Sequence, residues 1–223
     1  MKKGDFLWGS LLLLWIVILI IPTSREAFIA FTSTNPYIGG FIKFGILATM
    51  GDLLGVRILK DKWIIPKGII LKAIVWGVIG MVITLMFTVF TTGVAAAQSQ
   101  GILPFKDSKL ARAFFGSAIM NVTFGPMIYI YEKFGDMLVN IKYENDGGKL
   151  TVKKFVDGID WYTIVGFSWL KIQTLVWIPC HTIVFLLPEQ YRVLAAAFLS
   201  VLLGVIIAIS RKRNMGVQIE AED

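Results

Sequence analysis

The chain has 223 residues, of which 56% are hydrophobic and only 17% charged, and its mean hydropathy is +0.72. Soluble domains carry about 45–50% apolar and about 25% charged residues, so too little polar surface is present to coat a water-soluble globule. One cysteine and one histidine exclude an intramolecular disulfide, a cysteine-rich metal site and a histidine cluster, while the net charge of +7 comes from cations that flank apolar runs, which membrane topology explains better than nucleic acid.

The first apolar run covers 6–21 and follows Lys2 and Lys3. It is short for a hydrocarbon core of about 30 Å. Asp5 and the sequence Pro22-Thr23-Ser24-Arg25 speak against a cleaved signal peptide, so 1–22 is read as a signal-anchor helix. A polar break follows over 22–35, and Pro36 opens the second helix at a favoured first-turn position. That second run, 37–58, is interrupted by Lys43 and Asp52 and leads through a charged connection over 57–67. The third run is long, 68–97, and is followed by a loop over 98–108. A fourth helix over 109–140 carries Gly125-Pro126 in its middle, where the lost backbone hydrogen bond predicts a kink. The largest polar loop spans 143–160 and turns at Asp146-Gly147-Gly148. The fifth helix ends at Leu187 before Pro188; residues 161–171 either belong to it or lie along the interface, leaving a short span from Ile172. A sixth run, 191–210, ends in Arg211-Lys212-Arg213.

These elements predict an all-α, polytopic transmembrane bundle of about six helices. The membrane domain would cover 36–213, with a polar cytoplasmic tail over 214–223. With the N-terminus inside, 15 of the 22 cations fall on inside segments or their flanks, and five fall outside. That bias, with cations at both ends of the chain, predicts an even number of spans and both termini in the cytoplasm. The Lys-Lys start lacks an arginine-rich amphipathic targeting segment, which points to a bacterial plasma membrane.

Ionisable groups inside apolar spans are the main functional pointers, since each is costly unless paired or facing water. Lys43 and Asp52 are about 13.5 Å apart along one helix, too far for contact. Asp52 either faces a polar cavity or pairs with a basic group on another helix. On the fourth helix Asn121, Gly125, Tyr129, Glu132 and Asp136 share one face, a polar stripe that lines a cavity or meets headgroups near the inner interface. Gly51 and Gly55 form a small-xxx-small pair, and Ala196, Ser200, Gly204 and Ala208 extend the same spacing along the sixth helix. Such rows let backbones approach closely, within one chain or between two. Cys180-His181 makes no catalytic dyad, because adjacent helical residues point about 100° apart. No nucleotide-binding or zinc-protease motif is present, so neither enzyme chemistry nor a cofactor is expected.

The stretch from Asn35-Pro36 to Gly51-Asp52 resembles the opening of the Mpv-seventeen and peroxisomal membrane protein family: a proline, then a helix with spaced glycines closing on a Gly-Asp pair. Gly45 falls on that pattern. Gly77-Val78-Ile79-Gly80 is similar to the family's G-x-x-G, with Met81 where proline is usual. Met120-Asn121-Val122-Thr123-Phe124-Gly125-Pro126 resembles its D-Q-x-x-F-x-P segment, with the acidic and glutamine positions changed. Trp177-Ile178-Pro179, Phe185, Pro188 and Tyr191-Arg192 are similar to its W-P…N-F…V-P…Y-R ending. The resemblance implies a small protein of mitochondrial, peroxisomal or bacterial plasma membranes, and a weakly selective pore.

Two functions from different classes therefore stand as expectations. In the first, a small-solute or ion pore, Asp52, Asn121, Glu132 and Lys171 line the path and replace solute hydration. In the second, a structural or partner-binding scaffold, the same polar groups only knit helices together. The expected partners are membrane lipids and, through the small-residue rows, a second copy of the chain; nucleic acid is not expected.

Overall fold

The computed structural model describes residues 3–143, 149 and 151–222, with the backbone alone at 203, 206, 207 and 210–222. Among these residues every regular element is helical. The order is α1 (Lys3–Ile20), α2 (Pro22–Thr34), α3 (Pro36–Lys60), α4 (Ile69–Ser99), α5 (Lys109–Thr123), α6 (Gly125–Tyr143) and the short α7 (Val152–Asp157). A segment wound with i→i+5 pairing (Thr163–Trp177) then runs directly into α8 (Ile178–Leu186), and α9 (Glu189–Glu222) closes the chain.

Three helical stretches are long and apolar enough to cross a membrane, by length and composition: Lys3–Ile20, Ile69–Ser99 and Thr163–Leu186. The pair α5 and α6 makes a fourth if it is one span bent by 46°. Much of their surface has no protein cover, as Leu13 (58% exposed), Ile70 (74%) and Leu175 (72%) illustrate. A hydrocarbon solvent suits that surface, since backbone polarity is already satisfied within each helix. Helix α3 is long enough but carries Lys43, Asp52 and Arg57. It lies at the centre, packed chiefly on α4 and α9, where an apolar exterior is not required.

Small residues decide how α3 is held. A Cβ at Gly40 would lie 2.6 Å from the Gly80 carbonyl oxygen, so α3 and α4 touch backbone to backbone. Farther along, a Cβ at Gly51 would lie 3.0 Å from Val201 Cα, and one at Gly204 would lie 3.4 Å from the Gly51 carbonyl oxygen. A Cβ at Gly55 would meet the Gly204 carbonyl oxygen at 3.8 Å and Ala208 Cβ at 4.0 Å. Gly51, Gly55, Ser200, Gly204 and Ala208 thus meet in one crossing within a single chain, with buried Ala196 one turn before it. The far end of α3 is tied to α1: Arg57 Nε and Trp63 Nε1 both donate to Asp5 Oδ1, at 3.0 and 2.7 Å. Trp8 Nε1 adds a bond to the Met50 carbonyl at 2.9 Å.

Several boundaries differ from those expected. Residues 22–34 are helical, not a break: Pro22 starts the helix, and Thr34 and Asn35 bond back to the Ala30 and Phe31 carbonyls at its end. The fourth helix is two helices, broken at Phe124. Residues 163–186 are one continuous helix, so the part before Ile172 is no separate interfacial piece. The start of that helix is fixed by Asp160, which accepts the Thr163 N–H at 3.0 Å and its hydroxyl at 2.6 Å. Those bonds hold the Asp160 carboxyl below its ordinary range. Helix α9 continues through 214–222, the stretch read as a tail. The Asp146-Gly147-Gly148 turn and the side chains of Arg211-Lys212-Arg213 lie outside the described residues.

Substituting Gly51→Leu should force α9 off α3 and lower stability by about 1–3 kcal/mol, the usual cost of overpacking. Thermal melting of the detergent-solubilised protein reads this, and Gly9→Leu, where a Cβ meets nothing within 4 Å, is the matched control.

Candidate functional site

A cavity of about 230 Å³ lies within the bundle between α3, α4, α9 and the α5–α6 break. Most of its polar groups come from four directions. Helix α3 contributes Asp52, the α5–α6 break contributes Asn121, Tyr129 and Glu132, the i→i+5 segment contributes Gln173, and α8 contributes His181. The break is what gathers its set. With Pro126 the chain bends, so residues on either side of Phe124 face a common space.

Asn121 is the most constrained of these groups. It is 2% exposed, and its Nδ2 donates to the Ser117 carbonyl at 2.8 Å and to Ser117 Oγ at 3.2 Å. Ser117 Oγ in turn donates to the Ile178 carbonyl at 2.7 Å, stitching α5 to α8. With its amide nitrogen so committed, Asn121 presents Oδ1 to His181 Nδ1 at 3.1 Å. A carbonyl oxygen only accepts, so Nδ1 carries the proton and Nε2 of a neutral ring is left as an acceptor. The imidazole is stacked on Trp177 (centroids 5.0 Å apart, 15° between planes) and meets Phe87 edge-on at 5.5 Å. Gln173 is 4% exposed, and its Oε1 has no hydrogen-bond partner. It rests on Gly125, where a Cβ would come within 2.6 Å of its Nε2.

At one end of this cavity sits a charge cluster. Lys72 Nζ lies 3.1 Å from Asp52 Oδ2 and 3.4 Å from Asp136 Oδ1, and Lys133 lies 3.6 Å from Asp136 Oδ2. Trp76 Nε1 donates to Asp52 Oδ2 at 2.8 Å. The cluster joins α3, α4 and α6, and its side chains are a quarter to a third exposed, except Lys133 at 48%.

A second recess, of about 380 Å³, opens at the opposite end, near Pro36. It lies among α2, α3, α4 and the start of α9, and Lys43, Thr84, Thr88, Glu189 and Arg192 border it. Phe87 belongs to the lining of both spaces, so its ring stands between them. That ring is 5% exposed and is held edge-on by Phe185 at 5.0 Å.

Of the four residues singled out in sequence, Asp52, Asn121 and Glu132 border the inner cavity together. Lys171 does not: it sits on the exposed face of the i→i+5 segment. Asp136 and Asp52 are both engaged by Lys72, so the basic partner that sequence left open for Asp52 is identified. Gln173, His181 and Phe87 were not anticipated at the site. An amide inside an apolar run was a legible signal for Gln173; nothing in sequence marks Phe87. Among the described residues no group of three or more His, Cys, Asp or Glu side chains is placed to hold a metal ion. Neither a family model, nor a curated protein, nor a solved structure matches the chain.

Lys72→Met should leave Asp52 and Asp136 without their shared cation and cost about 2 kcal/mol. Adding Asp52→Asn should recover part of that loss, whereas Lys171→Gln should leave the melting temperature within the scatter of the unaltered protein.

Proposed function

We propose that this chain is an integral membrane protein that offers small solutes or ions a weakly selective route through a single bundle. The observation that carries this reading is the pair of cavities on either side of Phe87. A lipid-embedded bundle without transport has no need of two spaces on either side of one ring, each bordered by ionisable side chains. The route would enter at the recess near Lys43, pass the Phe87 ring, and leave past Asn121, Glu132 and Asp52.

The topology proposed with it has six spans, α5 with α6 counting as one bent span, and both termini in the cytoplasm. The Asp5–Arg57 pair supports this, because it puts the start of α1 at the same end as the cation-rich 57–67 connection. A bacterial plasma membrane and kinship with the Mpv-seventeen and peroxisomal membrane protein family belong to the same proposal. They rest on the quoted motifs, of which the spaced glycines of α3 and α4 face one another.

A scaffold without transport is the second reading. Asp52 favours it, since Lys72 and Trp76 already satisfy that carboxylate. Flux separates the two. Purified protein in liposomes should release small solutes faster than empty vesicles do, and Phe87→Ala should raise that release severalfold while Phe87→Trp lowers it. Leak equal to that of empty vesicles for the unaltered protein and for Phe87→Ala alike would leave the scaffold.

A further inference from the structure

Besides the exposed Lys60, three cations lie on α3 and the adjoining part of α4, and two have counter-ions in the protein. Arg57 has Asp5 at 3.0 Å, and Lys72 has Asp52 and Asp136. The third, Lys43, has none. It is 5% exposed, deeper than either of the others, yet among the described residues it makes no hydrogen bond and no ion pair. Its one recorded interaction is with the Phe28 ring, 5.4 Å from Nζ to the centroid. A ring face attracts a cation but supplies no net negative charge. The ammonium borders the recess near Pro36, so its missing counter-ion would have to arrive from there.

The surroundings of that recess fit an anion. Arg192 also borders the recess, with its side chain 19% exposed. Its Nε is committed to the Leu187 carbonyl at 3.0 Å, which fixes the direction of the guanidinium and leaves other N–H groups uncommitted. The carboxylate nearest to it, Glu189 Oε1, is 3.6 Å away on a side chain that is 87% exposed and reaches into solvent. Ser33, Thr92 and Gln190 also border the recess, and none has a recorded side-chain hydrogen bond within the described chain, so their donors are available. Two cations with neutral donors around them make the pattern that recognises phosphate and carboxylate groups.

We propose that the recess between Lys43 and Arg192 is a binding site for a small oxyanion, a phosphate or carboxylate group. The group sits between the Lys43 ammonium and the Arg192 guanidinium and serves as the counter-ion that the fold itself withholds from Lys43. This deepens the proposed function by giving the entry of the route a charge preference, and its place in transport rests on that reading. The binding itself does not, so it is measured at equilibrium without any flux.

The test uses the full chain in nanodiscs of phosphatidylcholine, titrated with inorganic phosphate at constant ionic strength and followed by the shift in melting temperature and by calorimetry. Saturable binding is expected. Lys43→Gln should weaken it by about tenfold or more, the loss of one charge-assisted hydrogen bond. Glu189→Gln removes the competing carboxylate, which is 87% exposed, and should tighten it. A second arm replaces part of the lipid with phosphatidylglycerol and adds no phosphate. Stabilisation there that Lys43→Gln abolishes, with no response to free phosphate, assigns the oxyanion to a lipid headgroup; response to free phosphate assigns it to a soluble ligand. Absence of any response in both arms overturns the site. So does a Glu189→Gln protein that binds no tighter together with a folded Lys43→Gln protein that binds as well as the unaltered one. Binding without flux would leave the site standing and remove the route; flux without binding would do the reverse.

Discussion

Helix α3 meets its two neighbours at backbone distance, and the rest of the bundle follows from where it does so. In hydrocarbon, apolar side chains gain nothing by leaving lipid for one another, so helices are held by dispersion over closely fitted surfaces. Glycine supplies that fit at two places on α3, against Gly80 of α4 near its beginning and against Gly204 of α9 nearer its end. Because the two contacts lie at different heights and on different faces, α4 and α9 are both fixed to α3 while touching each other little. The space left between them is where both cavities lie, with Phe87 across the middle. The voids are therefore a result of the packing, and not a failure of it.

Within that frame, polar groups divide by whether the protein answers them. Asn121, Ser117 and His181 form a closed set of hydrogen bonds that ties α5 to α8. Asp52, Asp136 and Lys72 form a closed set of charges that ties α3, α4 and α6. A buried group without an answer costs far more than a satisfied one contributes. Gln173 Oε1 at the inner cavity and Thr49 Oγ1 are such groups, and the Lys43 ammonium at the outer recess has no counter-ion among the described residues. Gln173 and Lys43 border the cavities, where a ligand or water can answer them.

Much of the fold was legible because apolar runs bounded by charges mark their own ends. The run over 37–58 became α3 and that over 68–97 became α4 with shifts of one or two residues. The bend at Phe124 was legible from Pro126. Helix α2 was not, since Ser24, Arg25, Glu26 and the threonines give it no apolar period, and its stability comes from packing on α1 and α3. At the site, a helical period of 3.6 residues brought Asn121, Gly125, Tyr129 and Glu132 to one face, and tertiary structure only bent that face. Lys171 misled because a cation in a span draws notice without regard to direction. Two residues further on, near the opposite side of the segment, Gln173 points inward instead. Direction of that kind depends on which side of the helix its neighbours choose, and one helix read alone does not record it.

The clasp of Asp5 with Arg57 and Trp63 has a bearing on how the protein is made. Helix α1 leaves the ribosome before either partner exists, and its anchoring bonds form only after α3 and the following connection have been synthesised. Until then it must survive as a solitary helix, and its nearly uniform coat of leucine, isoleucine and valine equips it to do so in lipid. Capture therefore runs backwards along the chain: α1, made before its partners, is held by later arrivals, with Trp15 seated against Phe28 and Phe198.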